Sequence, residues 1–160
     1  MEQKMLKAGK SRGRRAFTAG LALLAAIFPT VAACKEPTLA ELKGRLSDAD
    51  IGERPKLCVQ ISELQLDDAD KLYRSGESDK GHAALVDVVA FSELARDYSI
   101  QSHKHEKQSE IAIRKMVHRL IGLKQAVTFI DQKPIQDAID RLQKIRDDLL
   151  LAMFPQGANK

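Results

Sequence analysis

Residues 111–153 read IAIRKMVHRLIGLKQAVTFIDQKPIQDAIDRLQKIRDDLLLAM, and the spacing of their apolar side chains decides the fold. Ile113, Met116, Leu120, Leu123, Val127 and Ile130 recur at alternating intervals of three and four, the a and d positions of a heptad. After Asp131-Gln132-Lys133-Pro134 the same intervals return in Ile135, Ala138, Leu142, Ile145, Leu149 and Ala152. A helix brings residues three and four apart onto one side, so each set forms a continuous apolar stripe. Two equal stripes separated by a short polar stretch predict an antiparallel helical hairpin that turns at residues 131–134.

Upstream, helical periodicity persists between few breakers. Pro37 precedes Thr38-Leu39-Ala40-Glu41, a capping-box pattern in which Thr38 and Glu41 each satisfy a free backbone amide, so a short helix should run from Thr38 to about Ser47. After Ile51-Gly52-Glu53-Arg54, Pro55 suits the first turn of a second helix. Its apolar side is Leu57, Ile61, Leu64, Ala69, Leu72 and Tyr73, and Ser75-Gly76 stops it. Ser78 or Asp79 opens a third helix with Ala84, Val88, Phe91, Ala95 and Tyr98 on one face, widened by Leu85 and Leu94.

Between Ser99 and Glu110 the pattern lapses into polar residues, with neither Gly nor Pro. Two arrangements fit: one helix from Ser78 to Ile130, or two helices meeting at a loop near residues 101–106. The segment consists of competent helix formers, which favours the long helix, with a four-residue stutter in the heptad where its packing partners change. The only β-branched patch, Val86 to Val89, is claimed by helical spacing. The expected fold is all-α: a helical bundle with antiparallel coiled-coil-like hairpins and one long central helix.

Leu72-Tyr73-Arg74-Ser75-Gly76-Glu77-Ser78-Asp79-Lys80-Gly81-His82-Ala83 resembles the turn between the two helices of a tetratricopeptide repeat. There a Tyr closes the first helix, a Gly forms the turn and a small residue, here Gly81, opens the second. The resemblance spans a dozen residues and has no second copy at the repeat period, so it implies a helix-turn-helix pair and no repeat array.

The first 33 residues have a different build. A head carrying Lys4, Lys7, Lys10, Arg12, Arg14 and Arg15 against one acid, Glu2, precedes an apolar run from Phe17 to Ala33. Positive charge stays on the cytoplasmic side while the apolar run enters the membrane, and Gly20, Pro29 and Thr30 leave that run too weak for a permanent span. Arg14-Arg15-Ala16-Phe17 resembles the core of a twin-arginine export signal, which implies export of a folded protein; Gly13 stands where a hydroxyl residue is usual. Val31-Ala32-Ala33-Cys34 resembles the bacterial lipobox, with Val31 in the place most often held by Leu. That resemblance implies a diacylglycerol on the Cys34 thiol and cleavage before it. The competing reading is cleavage after Ala33 by an ordinary signal peptidase, releasing a soluble domain, and a third is a first segment that is never cleaved. The expected organisation is an export signal at 1–33, a lipid-anchored linker with a short helix at 34–54, a helical bundle at 55–154 and a flexible tail at 155–160.

Charge changes meaning once the signal is removed. The chain is net +4, with 26 basic and 22 acidic residues. Residues 1–33 hold six of the bases and one of the acids, so the remainder carries 20 bases against 21 acids. The basicity belongs to the signal, and the case for a nucleic-acid partner disappears with it. Cys58, flanked by Leu57, Val59 and Ile61, reads as a core thiol, and with Cys34 lipidated no internal disulfide is available.

No nucleophile elbow, phosphate loop, dinucleotide fingerprint or zinc spacing occurs, so no enzyme or cofactor is expected. His103, His105 and His118 are the nearest approach to a metal set. On one continuous helix His103 and His105 diverge by about 200°, so a trio needs a loop at 101–106 and convergence from elsewhere. Lys104, Lys107, Arg114, Lys115 and Arg119 concentrate positive charge that suits anionic headgroups or an envelope polyanion, or else a face of ion pairs with neighbouring helices. Leu150, Leu151 and Phe154 are apolar groups spare for a partner or a second copy. The sequence therefore points to an exported envelope protein on the periplasmic side of a bacterial membrane. Its partners would be that membrane, through Cys34, and an envelope protein or itself. A small periplasmic ligand- or metal-binding module is the alternative.

Overall fold

Thr38 opens the first helix through the reciprocal cap its sequence implies. Its hydroxyl accepts from the Glu41 amide at 3.3 Å, and the Glu41 carboxylate accepts from the Thr38 amide at 2.7 Å. In the computed structural model, which describes residues 37–155, five α-helices follow: α1 (Leu39–Asp48), α2 (Arg54–Arg74), α3 (Ser78–Ser102), α4 (Glu106–Ala126) and α5 (Phe129–Met153). No strand occurs among the described residues, and none of these helices is long and apolar enough to cross a membrane. The export segment with Arg14, Arg15 and Phe17, the Cys34 acceptor and residues 156–160 of the tail lie outside the described residues.

The chain is all-α, a bundle of two helical hairpins with α1 laid against the first. Within each hairpin the helices are antiparallel: Ser62 of α2 reaches Val88 of α3, and Arg146 of α5 reaches Glu110 of α4. Between hairpins, α3 lies beside α5. Glu93 pairs with Arg141, and Arg96 donates to Asp148 at 2.8 Å, so these two helices run parallel. Arg119 of α4 meets Asp67 of α2 on the other side. One large core fills the centre, with Leu66, Leu85, Val88, Ile113, Met116, Leu120, Leu142, Ile145 and Leu149 all buried.

The short helix expected in the linker packs into the fold as α1. Leu42 is buried with Leu57 and Ile61, backed by Leu46, Leu64 and Phe91. Lys43 sits 5.2 Å over the Phe91 ring and 3.7 Å from the Asp87 carboxylate, tying α1 to α3 as well as to α2.

Two expectations about helix ends are corrected. The single helix from Ser78 to Ile130 is broken at residues 103–105, where His103 (φ 51°) and His105 (φ 63°) both adopt the left-handed conformation that most side chains avoid. The stutter in the heptad was the trace of this break. The α3 seam ends at buried Ser99, the α4 seam begins at buried Ser109, and their hydroxyls meet at 3.0 Å across the turn. The second hairpin also turns earlier than expected, at Val127-Thr128, and Asp131 to Pro134 lie inside α5. Pro134 removes one backbone bond near the start of the helix, leaving only the Ile130 carbonyl without its helical donor.

The buried side of α3 is Gly81, Leu85, Val88, Ser92, Ala95 and Ser99, a heptad seam made largely of small and hydroxyl residues. Ser92 donates to the Val88 carbonyl one turn back at 2.7 Å, which lets a hydroxyl sit in the core without an orphaned group. Ser62 of α2 reaches the same carbonyl at 3.3 Å, so small side chains and a shared acceptor hold α2 against α3.

Candidate functional site

The candidate metal ligands do not converge. His103 and His105 lie in the α3–α4 loop, and His103 stands 3.7 Å from Glu106. His118 sits exposed on α4, twelve residues beyond Glu106 and therefore about 18 Å along the helix. Among the described residues no group of three His, Cys, Asp or Glu side chains is placed to hold a metal ion. The basic residues between 104 and 119 are partly spent on ion pairs: Arg114 with Glu110, and Arg119 with Asp67. Lys104 lies in the loop with its side chain against Gly52. Cys58 is fully buried, and burial pushes its thiol up to about 12 against the pull of Arg54, so it is a poor nucleophile.

What the fold does bring together is a pair of turns at one end of the bundle. The α2–α3 turn passes through Gly76 in the left-handed region (φ 80°), and the Tyr73 ring closes over Gly81, where an added Cβ would meet ring carbons at 2.9 Å. Thus α2 and α3 form a helix-turn-helix pair about residues 75–77. Tyr73, Gly76, Val127, Thr128, Ile130 and Asp131 line a hollow of about 430 Å³ between this turn and the α4–α5 turn. The Tyr73 hydroxyl is buried beneath it with no hydrogen-bond partner. Burial, followed by the Asp131 carboxylate, raises the Tyr73 pKa.

At the rim of that end stand the two most exposed large apolar side chains of the described residues, Phe129 (86% exposed) and Ile130 (85%). They occupy the first two positions of α5 because Thr128 ends the preceding turn in extended backbone and Asp131 folds back onto it, its carboxylate accepting from the Thr128 hydroxyl at 2.7 Å. Lys124 and Lys133 flank them and line a second shallow hollow with Phe129 and Ile130. From here a groove of about 260 Å³ runs between α3 and α5, floored by Leu85, Val89 and Ala138 and edged by the Glu93–Arg141 pair.

Ile130 was expected in the hairpin seam and Phe129 had no assigned role. A usable signal was present: Thr128-Phe129-Ile130-Asp131 has the same hydroxyl-x-x-acid form as Thr38-Leu39-Ala40-Glu41, which marks a helix start. The opposite end of the bundle holds the α3–α4 loop and the close of α5, with Leu151 57% and Phe154 69% exposed and Leu150 half-buried. No family model matches this chain, and neither curated proteins nor solved structures give a match.

Proposed function

We propose that this chain is an exported envelope protein, lipid-anchored at Cys34, whose bundle works as a non-catalytic interaction subunit on the periplasmic side of a bacterial membrane. One observation carries this reading. The apolar run and Val31-Ala32-Ala33-Cys34 end four residues before Thr38, which caps the first helix of the fold. Cleavage at that cysteine therefore removes the basic head and leaves the bundle whole behind a very short tether. Support for an interaction role comes from the large apolar side chains exposed at both ends, Phe129 and Ile130 at one and Leu151 and Phe154 at the other.

The test is the intact mass of protein extracted from native membranes. A product that starts at Cys34 and is heavier by a diacylglyceryl group is expected. An unmodified product cut after Ala33 overturns the anchor and leaves a soluble domain. For the interaction role, Leu151 and Phe154 are the contacts with a second copy or an envelope partner. Polar substitution of both should abolish self-association in sedimentation, and an unaltered sedimentation profile counts against them.

A further inference from the structure

We infer that the turn end of the bundle, led by Phe129 and Ile130, docks into the surface of the membrane that anchors the chain. This rests on the lipid-anchor reading above. Adjacent Phe and Ile side chains, each about 85% exposed, form an apolar point at the end of a helix. An aromatic and a branched aliphatic group with lysines beside them suit the boundary between headgroups and acyl chains. The apolar parts enter, and the lysine stems lie along the surface with their ammonium groups in water. Lys124 and Lys133 are placed for this, and both already bond within the protein, to Gln136 at 2.7 Å and to Asp137 at 2.9 Å. The adjacent Asp131 carboxylate is turned back to Thr128. On the neighbouring turn Arg74 pairs with Asp70 and Lys80 with Glu77, whereas Asp79 is exposed without an ion pair among the described residues.

The tether selects this end over the other. Because α1 runs antiparallel to α2, its start lies toward the α2–α3 turn: Pro37 and Asp67 line the same hollow. Seven residues of α2 separate Asp67 from Arg74 at the turn, a distance of about 10 Å. Three residues separate Pro37 from Cys34 in sequence, and three residues span at most about 11 Å. Fully extended, that length lets a lipid on Cys34 reach the plane of the turn end. The loop end, where Leu151 and Phe154 stand, begins thirteen residues of α2 in the other direction, about 20 Å from Asp67 and beyond that reach. The bundle would stand on its Phe129 end and hold Leu151 and Phe154 away from the bilayer.

The chain has no tryptophan, which makes a site-specific probe simple. Phe129→Trp and Phe154→Trp each create a single emitter at an exposed aromatic position. Each lipidated variant, extracted from its native membranes, is reconstituted into vesicles of phosphatidylethanolamine and phosphatidylglycerol with brominated acyl chains, which quench at short range. Blue-shifted, quenched emission from Phe129→Trp and solvent-like, unquenched emission from Phe154→Trp are expected. Unquenched emission from both, or quenching of Phe154→Trp, overturns the docking. Intact mass of the same samples reports the anchor separately. A diacylglyceryl group on Cys34 with unquenched Phe129→Trp leaves the anchor standing and removes the docking, whereas an unlipidated product removes both, because the tether selects the end.

Discussion

The two hairpins reach the same architecture with different mixtures of large and small side chains, and the difference is sharpest on α3. Along α4 and α5 the seam is built from large aliphatics: Ile113, Met116, Leu120 and Leu123 against Ile135, Leu142, Ile145 and Leu149. Along α2 the buried side mixes Leu57, Ile61, Leu66 and Tyr73 with Ser62 and Ala69, and along α3 it is mostly small, with Gly81, Ser92, Ala95 and Ser99 around Leu85 and Val88. The first hairpin gains by bringing helices close and satisfying hydroxyls on backbone carbonyls, the second by removing hydrocarbon from water. Large side chains announce burial through periodicity. Small ones bury themselves without announcing it.

Truncation on the aliphatic side should cost most. Leu142 is fully buried, and Leu142→Ala is expected to destabilise by about 3–4 kcal/mol in urea unfolding. A loss near 1 kcal/mol would mean that the α4–α5 seam collapses around the gap and that the contrast is overstated.

Alkaline pH probes the other hairpin, since α2 carries both Cys58 and Tyr73 with raised pKa values. For Cys58, burial takes the thiol from 9.0 to about 12, so above pH 9 the unfolded chain releases a proton that the folded chain retains. Stability is then present below that pH and falls as pH rises through the interval, by up to about 1.4 kcal/mol per pH unit from this group. Denaturation curves for wild type and Cys58→Ala should diverge in slope over this range, and parallel curves would rule the thiol out as the cause.

Close packing predicts that Gly81→Ala destabilises even though alanine is the better helix former. The new methyl meets the Tyr73 ring at 2.9 Å, and overpacking should outweigh the gain in propensity by about 1 kcal/mol. Increased thermal stability would show that the ring moves aside. Tyr73→Phe should act in the opposite direction, raising stability by up to about 1 kcal/mol by deleting a buried hydroxyl that has no partner. A loss of stability in that variant would reveal a partner for the hydroxyl, such as a trapped water. Ser92→Ala should be the mildest, within about 1 kcal/mol, because Ser62 still donates to the Val88 carbonyl. A larger loss would make the hydroxyl pair, rather than the small volume, the essential feature of the seam.

The same contrast explains which parts were legible in the sequence. The α5 stripe from Ile135 to Leu149 and the α4 stripe from Ile113 to Leu123 could be read residue by residue, as could the Thr38 cap and Pro55 in the first turn of α2. On α3 the buried Leu85, Val88 and Ala95 are legible in the spacing, whereas Ala84, Phe91 and Tyr98 are half-buried and Leu94 is exposed, because the seam positions Ser92 and Ser99 look like surface residues. The 103–105 break shows in the sequence only as the four-residue stutter and the polar lapse around it, because two histidines in left-handed backbone replace the usual glycine. Asp131-Gln132-Lys133-Pro134 has every sign of a turn and is helical, which hid Phe129 and Ile130 at the true helix start. A site made by two turns meeting at one end depends on how the hairpins dock, and periodicity along the chain carries no information on that.

Docking α3 beside α5, two helices on from it, has a consequence for synthesis. Each hairpin is closed by a loop of only a few residues, so either can form on the fast timescale of local helical contacts. Ribosomes add about 5–20 residues per second, so the 51 residues from Ser102 to Met153 take some seconds to emerge. During that interval the first hairpin waits without α5 over Leu85 and Val89. A seam of serines, alanines and a glycine gives the nascent hairpin something to close on before its hydrocarbon lid arrives.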